Sequence, residues 1–428
     1  MSYDAVVIGV GLAGLTAALR LAEEGQRVLV VAKGVGATHL APASIDVLGY
    51  DDGPVESPER ALPKFAAANS AHPYRRLSVE LIRASLEWFV ARLGDHGYRG
   101  GLEQNFLLPT AVGAAKPTAL VPAAMAAGDL RAGGRFVFVG FRGLKDFYPA
   151  YLVENLVRAR LPGGASVTAR AVELAPPLGG EGDVSSVGFA RRFEQAQFRE
   201  SVLRELKGRL MPGEIVGFPA VLGLEHATEV LHELETGLGH PVFEVPTLPP
   251  SVQGLRLYDT MTTALRRAGA RLVVGSTVAG SESGGNRRSE SGGDRLEGVV
   301  AQTAGRPRAY RARSFVLATG GFASGGLELD SSWAVRETIF DLPLAGVPDA
   351  KETRFAPGYF DDHAISRAGV AVDEKLRPVD GEGTAVYENL HVAGATLAGA
   401  VPWREASGNG LSLSTGYAAA SAILESAS

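Results

Sequence analysis

The chain has 428 residues, 46% of them hydrophobic, and a formal net charge of −5; this suits two interleaved domains with sizeable cores, not a disordered or fibrous protein. It contains no cysteine, which excludes disulfides, thiolate metal sites, Cys nucleophiles and Cys-ligated iron–sulfur clusters on this chain. No global basic field favours nucleic acid, and no apolar run reaches the roughly 18 residues of a membrane span.

Residues 5–8 read as a short buried parallel strand, and residues 12–24 as a helix with apolar positions at Leu15, Ala18, Leu19 and Ala22. Gly25 ends that helix, and residues 27–31 form a second buried strand, completing a β-α-β unit. The opening strand is short and broken at once by a glycine turn, so no secretory signal is expected and the chain reads as cytoplasmic. From Pro73 a helix carries Leu77, Leu81, Leu86, Trp88, Phe89 and Leu93. Residues 101–254 are mixed, with a strand, turn and helix in 135–161 and a Pro- and Gly-rich stretch from 214. A helix, a Gly turn and a strand follow, then a polar low-complexity stretch at 281–294, expected to be a solvated hairpin tip. Strands resume at 296–302 and 309–318, and the chain closes with a strand at 390–393, a Gly-rich loop and a helix.

Three stretches carry chemistry. Gly9-Val10-Gly11-Leu12-Ala13-Gly14 follows a strand and opens a helix. Gly9 allows the sharp turn, Gly11 lets the backbone approach a pyrophosphate, and Gly14 permits close packing of helix on strand. The helix start then offers N–H groups and a partial positive charge to phosphate. The acid expected about 20 residues on is missing: the second strand runs into Ala32-Lys33-Gly34. Lys33 cannot accept from a ribose hydroxyl but can pair with a phosphate; as a solvated strand end it needs no ligand. Phe315 to Gly321, an apolar strand ending Ala318-Thr319-Gly320-Gly321, is typical of two-domain flavoproteins where the chain re-enters the nucleotide domain, though it also reads as a plain strand-to-turn junction. The third stretch is a strand reaching Gly394, then Gly408-Asn409-Gly410-Leu411 opening the last helix. Such a helix start can meet a flavin ring and stabilise its reduced anion, or be ordinary capping. This order argues against a nicotinamide-only dehydrogenase.

The combination resembles the B subunit of the anaerobic glycerol-3-phosphate dehydrogenase. The resemblance rests on Gly11-Leu12-Ala13-Gly14-Leu15, on Lys33-Gly34 in place of the acid, on Ala37-Thr38-His39 with Ser44-Ile45-Asp46-Val47-Leu48, on Gly217 to Gly223, and on Ala318 to Phe322. It runs the whole length apart from the polar insert. It implies a Rossmann-like α/β flavin-binding domain of the FAD/NAD(P)-binding type with an inserted α+β second domain. It also implies oxidation of sn-glycerol 3-phosphate to dihydroxyacetone phosphate, with electrons passed to a quinone. The partners would be a FAD-carrying catalytic A subunit and an iron–sulfur C subunit that docks the complex on the membrane, so that this chain meets the inner face of the membrane only indirectly. FMN is the implied cofactor, which fits the missing ribose-binding acid; FAD is the alternative, which fits the full pyrophosphate turn.

The domain boundaries expected are 1–100, 255–322 and 377–428 for the nucleotide domain, with 101–254 and 323–376 in the second domain. His39 and Ser44 are expected near the flavin or a phosphate, although a lone loop His is often structural and Asp46 beside Ser44 can be a cap. His363 and Arg367 could line a cleft or sit on a solvated helix; Arg404 and Glu405 could face the flavin edge or form an exposed pair. His72, His96, His226, His232, His240 and His391 show no metal-ligand spacing. Two other readings stay open: an independent FAD-dependent oxidoreductase of the fumarate reductase or ketosteroid dehydrogenase type, with His226, Arg256 and His363 as acid–base candidates, and a scaffold that binds no cofactor. No catalytic residue is assigned.

Overall fold

The computed structural model describes residues 2–93, 97–282 and 293–427. Most of the polar stretch at 281–294, and His96, lie outside the described residues. The chain divides into two compact units: Met1–Ala37, Glu59–Phe89 and Thr260–Ser428 in the first, Thr38–Pro58 and Val90–Asp259 in the second.

The first unit is built on β1 (Tyr3–Ile8), α1 (Leu12–Glu23), β2 (Val28–Ala32), β3 (Arg271–Val274), β4 (Thr277–Ser281), β5 (Gly298–Gln302), β6 (Arg308–Leu317), β7 (Leu390–Val392) and α2 (Gly408–Ala427). In the sheet, β3, β2, β1 and β6 lie side by side and parallel, with β7 parallel to the second half of β6. The first half of β6 instead pairs antiparallel with β5, which pairs antiparallel with β4. The parallel strands are continuous apolar runs: Val6, Val7, Leu29, Val30, Val31, Phe315 and Val316 are wholly buried. That pattern belongs to a strand covered on both faces. Helix α2 lies close against α1: a Cβ added to Gly416 would fall 2.3 Å from the Ala13 carbonyl oxygen.

The second unit has a four-stranded sheet, Val167–Leu174, Gly134–Phe141, Glu214–Pro219 and Val242–Val245 in that order, all parallel. Parallel neighbours need crossovers, and helices such as Pro149–Leu156 and Ala227–Leu238 supply them. This unit thus combines a parallel sheet and its crossover helices with short antiparallel ladders (Phe106–Pro109 on Ala115–Thr118). Its core is aromatic: Phe136, Phe138 and Phe243 are buried, with Phe243 edge-on to both others at 6.0 and 5.9 Å. The helix Ala227–Leu238 starts on a carboxylate: Glu194 accepts from the N–H groups of Leu224, Glu225 and His226.

The units depart from the boundaries expected above at residues 38–58, 90–100, 255–259 and 323–376. Residues 38–58 cluster with the second unit because Ile45 exchanges N–H···O bonds with Leu120 and the Asn105 side chain donates to the Leu48 and Val55 carbonyls, and residues 90–100 because Arg99–Gly100 pairs with Leu120–Val121. Residues 323–376 cluster with the first because the N–H groups of Ala398 and Gly399 donate to the Val370 and Arg367 carbonyls.

Candidate flavin site

The parallel strands of the first unit end on one side, and four of them, β1, β2, β6 and β7, hand over to turns predicted for the site. In α/β sheets that side is the ligand side, where the strand order reverses. Strand β1 ends at Ile8 and turns at Gly9, whose φ is +110°. A Cβ there would fall 2.2 Å from the Ala318 carbonyl oxygen, so only glycine lets the turn cross the end of β6. A Cβ at Gly14 would fall 2.2 Å from the Gly9 carbonyl oxygen. Gly11 differs: its φ is an ordinary −69° and a Cβ would meet nothing within 4 Å. The space it leaves lies before the start of α1, which has no side-chain cap and no acid in its first turn. Leu12 and Ala13 open that helix and are buried.

The loop after β2 lies against this turn, since a Cβ at Gly36 would come within 2.9 Å of the Gly11 nitrogen. Within it Lys33 and Gly34 are exposed. After β6, Gly320 takes φ +80° and donates its N–H to Thr396 Oγ1 at 3.0 Å. The neighbouring Thr319 Oγ1 is buried with no hydrogen-bond partner among the described residues. After β7, Gly394 takes φ +75°, donates to Thr415 Oγ1 on α2 at 2.9 Å, and lies so close to α1 that an added Cβ would reach the Ala13 Cβ at 2.9 Å. Gly408, Asn409, Gly410 and Leu411 form the first turn of α2, again without an acid.

The start of α2 rests on a buried polar chain that joins distant parts of the sequence. Glu405 Oε2 accepts from the Ser407 hydroxyl at 2.7 Å and from His72 Nε2 at 3.2 Å, and Oε1 accepts from the Val401 N–H at 2.7 Å. His72 Nδ1 accepts from the Tyr74 N–H, which puts the ring proton on Nε2, facing Glu405. Burial alone would raise the Glu405 pKa, but His72, Val401 and Ser407 outweigh it and hold the carboxyl below its ordinary value. Between Glu405 and Ser407 the buried Ala406 sits at φ +46°, a conformation that costs a non-glycine residue about 1–2 kcal/mol.

A flavin phosphate fits these residues. The Gly11 opening, two helix starts free of acid and the unpartnered Thr319 hydroxyl together favour a group that is anionic and accepts hydrogen bonds.

Two predicted residues belong to the second unit. His39 is half-buried, edge-on to Tyr258 at 4.5 Å, with Nε2 buried and unpartnered among the described residues; burial lowers its pKa. Ser44 is buried and donates to Asp46, which is paired with Lys116. Other candidates are committed locally. His363 Nδ1 accepts from the Ala356 N–H and Nε2 donates to the Tyr359 carbonyl. Arg367 binds Asp362 through both nitrogens. Arg404 donates to the Phe360 carbonyl. Arg256 is buried, fixed to Glu244 at 2.6 Å and to the Gly223 carbonyl at 2.8 Å. Its replacement by Met would strand the buried Glu244 charge, at a cost of about 3–5 kcal/mol; the check is a denaturant titration, and a midpoint within error of wild type would refute the structural role. Among the described residues no group of His, Asp and Glu is placed to hold a metal.

Nothing in the sequence pattern connects His72 with Glu405, or singles out Thr396 or Thr415. Gly36, also absent from the expected site, had a local signal, as the second glycine after Lys33.

The sequence model described as FAD binding domain matches residues 4–411. A probable anaerobic glycerol-3-phosphate dehydrogenase B subunit from Halobacterium salinarum is 36% identical over 99% of this chain and 98% of its own length. The corresponding B subunit of Pectobacterium atrosepticum is 31% identical over 99% of each. A 3-ketosteroid delta1-dehydrogenase of known structure, from Sterolibacterium denitrificans, is 13% identical, with coverage of 99% and 100% and a TM-score of 0.48. With relatives of this identity along almost every residue and a FAD binding domain matched over residues 4–411, the chain belongs to the B-subunit family of the anaerobic glycerol-3-phosphate dehydrogenases, flavoproteins with a FAD binding domain.

Proposed function

We propose that this chain is the flavin-bearing B subunit of a quinone-linked dehydrogenase that oxidises sn-glycerol 3-phosphate to dihydroxyacetone phosphate. The observation that carries the reading is the full-length relationship at 36% identity, joined to an open phosphate cradle. Its partners are a FAD-carrying catalytic A subunit and an iron–sulfur C subunit. The chain works on the cytoplasmic side, reaching the membrane through that complex; among its described residues no helix is long and apolar enough to cross one.

We assign FMN as the cofactor. Nothing in Lys33-Gly34-Val35-Gly36-Ala37 can accept from an adenosine ribose hydroxyl by its side chain, while the exposed Lys33 suits a terminal phosphate. A bound flavin exchanges electrons in pairs or singly. The chain's own part is to hold and tune it. The uncapped start of α1 receives the phosphate, Thr319 offers a hydroxyl, and the start of α2 presents N–H groups and its positive end to a developing negative charge.

The test is the absorption spectrum of the purified chain and chromatography of the flavin released on denaturation, followed by glycerol-3-phosphate-dependent dye reduction with and without the co-expressed A and C subunits. Released FMN, with turnover only in the assembled complex, is expected. Released FAD would overturn the FMN assignment alone. Full turnover by the isolated chain would overturn the subunit role.

A further inference from the structure

The first unit presents a run of exposed aromatic rings. Tyr359 is 86% exposed, Phe360 90% and Trp403 68%, and Trp333 and Phe355 are exposed as well. Four of the five belong to one connected group. Trp333 meets Phe355 at 6.0 Å, Phe355 meets His363 at 5.7 Å, and Tyr359 stands edge-on to Phe360 at 5.0 Å. Single exposed rings are ordinary, whereas a connected group left in water marks a surface that something covers.

The rings are held out by a fixed loop. His363 Nδ1 accepts from the Ala356 N–H and Nε2 donates to the Tyr359 carbonyl, while Asp361 accepts from the Gly358 N–H between them. Beneath, the buried Arg354 donates to the Pro348 and Trp333 carbonyls. Trp333 itself takes φ +68°, a strained conformation for a bulky residue that persists only where its surroundings impose it. A loop fixed in this way has little freedom left to lose on binding.

The loop is also tied to the approach to α2. The Arg367 carbonyl accepts from the Gly399 N–H, and the Arg367 guanidinium holds Asp362 through both nitrogens. Arg404 reaches the Phe360 carbonyl at 3.5 Å, and its charge adds to the Arg367 bond that keeps the Asp362 carboxyl below its ordinary pKa. Trp403, beside Arg404, lies on the short helix Pro402–Glu405 that leads into α2. The charges around the rings balance: Arg354, Arg367 and Arg404 stand against Asp361, Asp362 and Glu405. An anionic lipid surface gains nothing from such a face. Aromatic rings with no excess charge are instead what the core of a protein interface is made of.

We propose that Tyr359, Phe360 and Trp403 form the face on which the A subunit docks, an inference that rests on the B-subunit reading above. The A subunit is the occupant because it delivers the electrons this chain receives, and this face adjoins the entry to α2.

The test measures association of the full, flavin-loaded chain with purified A subunit by sedimentation velocity. The double replacement of Tyr359→Ser with Phe360→Ser should weaken association at least about 30-fold, with flavin content and unfolding midpoint as in wild type. Trp403→Ser should weaken it about tenfold, and it serves alone should the double variant fail to fold by circular dichroism. Tyr148→Ser, at a ring of the second unit that is 62% exposed, should change nothing. Folded variants that bind the A subunit like wild type would overturn this inference and leave the B-subunit reading standing. A loss confined to binding of the C subunit, or of vesicles of phosphatidylglycerol and phosphatidylethanolamine, would overturn the choice of occupant. Failure of the wild type itself to associate with the A subunit would overturn both readings.

Discussion

Gly11→Asp should give a folded but colourless protein. A Cβ at Gly11 meets nothing within 4 Å and the backbone there needs no glycine. Aspartate is moreover a favoured residue at a helix start, so α1 should be as stable as before or gain roughly a few tenths of a kcal/mol. The carboxylate, however, would occupy the opening before α1 and repel a phosphate from it. Flavin affinity should fall at least about 100-fold, on the order of 3 kcal/mol. The measurement pairs a thermal melt of flavin-free protein with the flavin-to-protein absorbance ratio of protein purified in parallel. An unchanged melt with lost colour is expected; a variant that keeps its flavin would show that the phosphate lies elsewhere. Gly9→Ala and Gly14→Ala should do the reverse, damaging the fold itself, because their side chains would collide with backbone oxygen.

Glu405→Ala should destabilise the first unit by about 3 kcal/mol and loosen the flavin with it. The substitution leaves three buried donors unmet, His72 Nε2, the Val401 N–H and the Ser407 hydroxyl, each worth about 1–3 kcal/mol before relaxation. It also removes the anchor that holds Ala406 in its left-handed conformation at the entry to α2. Denaturant unfolding should show the loss, and bound-flavin fluorescence should shift as the helix start moves. Loss of stability with an unaltered flavin spectrum would reduce the chain of bonds to a purely structural brace. The same carboxyl sets an acid limit. Its folded pKa lies below its unfolded value of about 4.3. Its stabilisation is therefore complete above the unfolded value and disappears as pH falls through the folded one. Wild type should lose stability toward the variant below about pH 4 and match it under stronger acid.

The sequence made the sheet and its turns legible because their causes are local. An apolar run followed by glycine at Gly9, Gly320 and Gly394 marks a buried strand ending on a ligand-side turn, whatever lies between. The ends of β1, α1, β2, β6 and β7 fell within a residue or two for the same reason, whereas the helix expected from Pro73 starts at Val79, after a separate short turn of helix at Pro73–Arg76. What could not be read is whatever depends on partners far along the chain. His72 and Glu405 are 333 positions apart, so neither shows a spacing, and each alone looks like an ordinary loop residue. Residues 38–58 carry no periodicity; their membership is decided by the Ile45–Leu120 pairing and the Asn105 bonds. Arg256 and His363 looked like acid–base candidates because residue type says nothing of commitments, and both prove to be bound to neighbours.

The central position of β6 has a consequence for how the chain is made. The parallel sheet is closed by a strand that emerges some three hundred residues after β1, and the flavin site needs the start of α2 later still. At roughly 5–20 residues per second, the Gly9–Gly14 turn leaves the ribosome about 20–80 s before Gly408 is joined to the chain. During that interval β1 and β2 expose apolar edges that nothing yet covers. Cofactor capture must therefore follow synthesis instead of guiding it, and the nascent first unit is the form of this protein most in need of a chaperone.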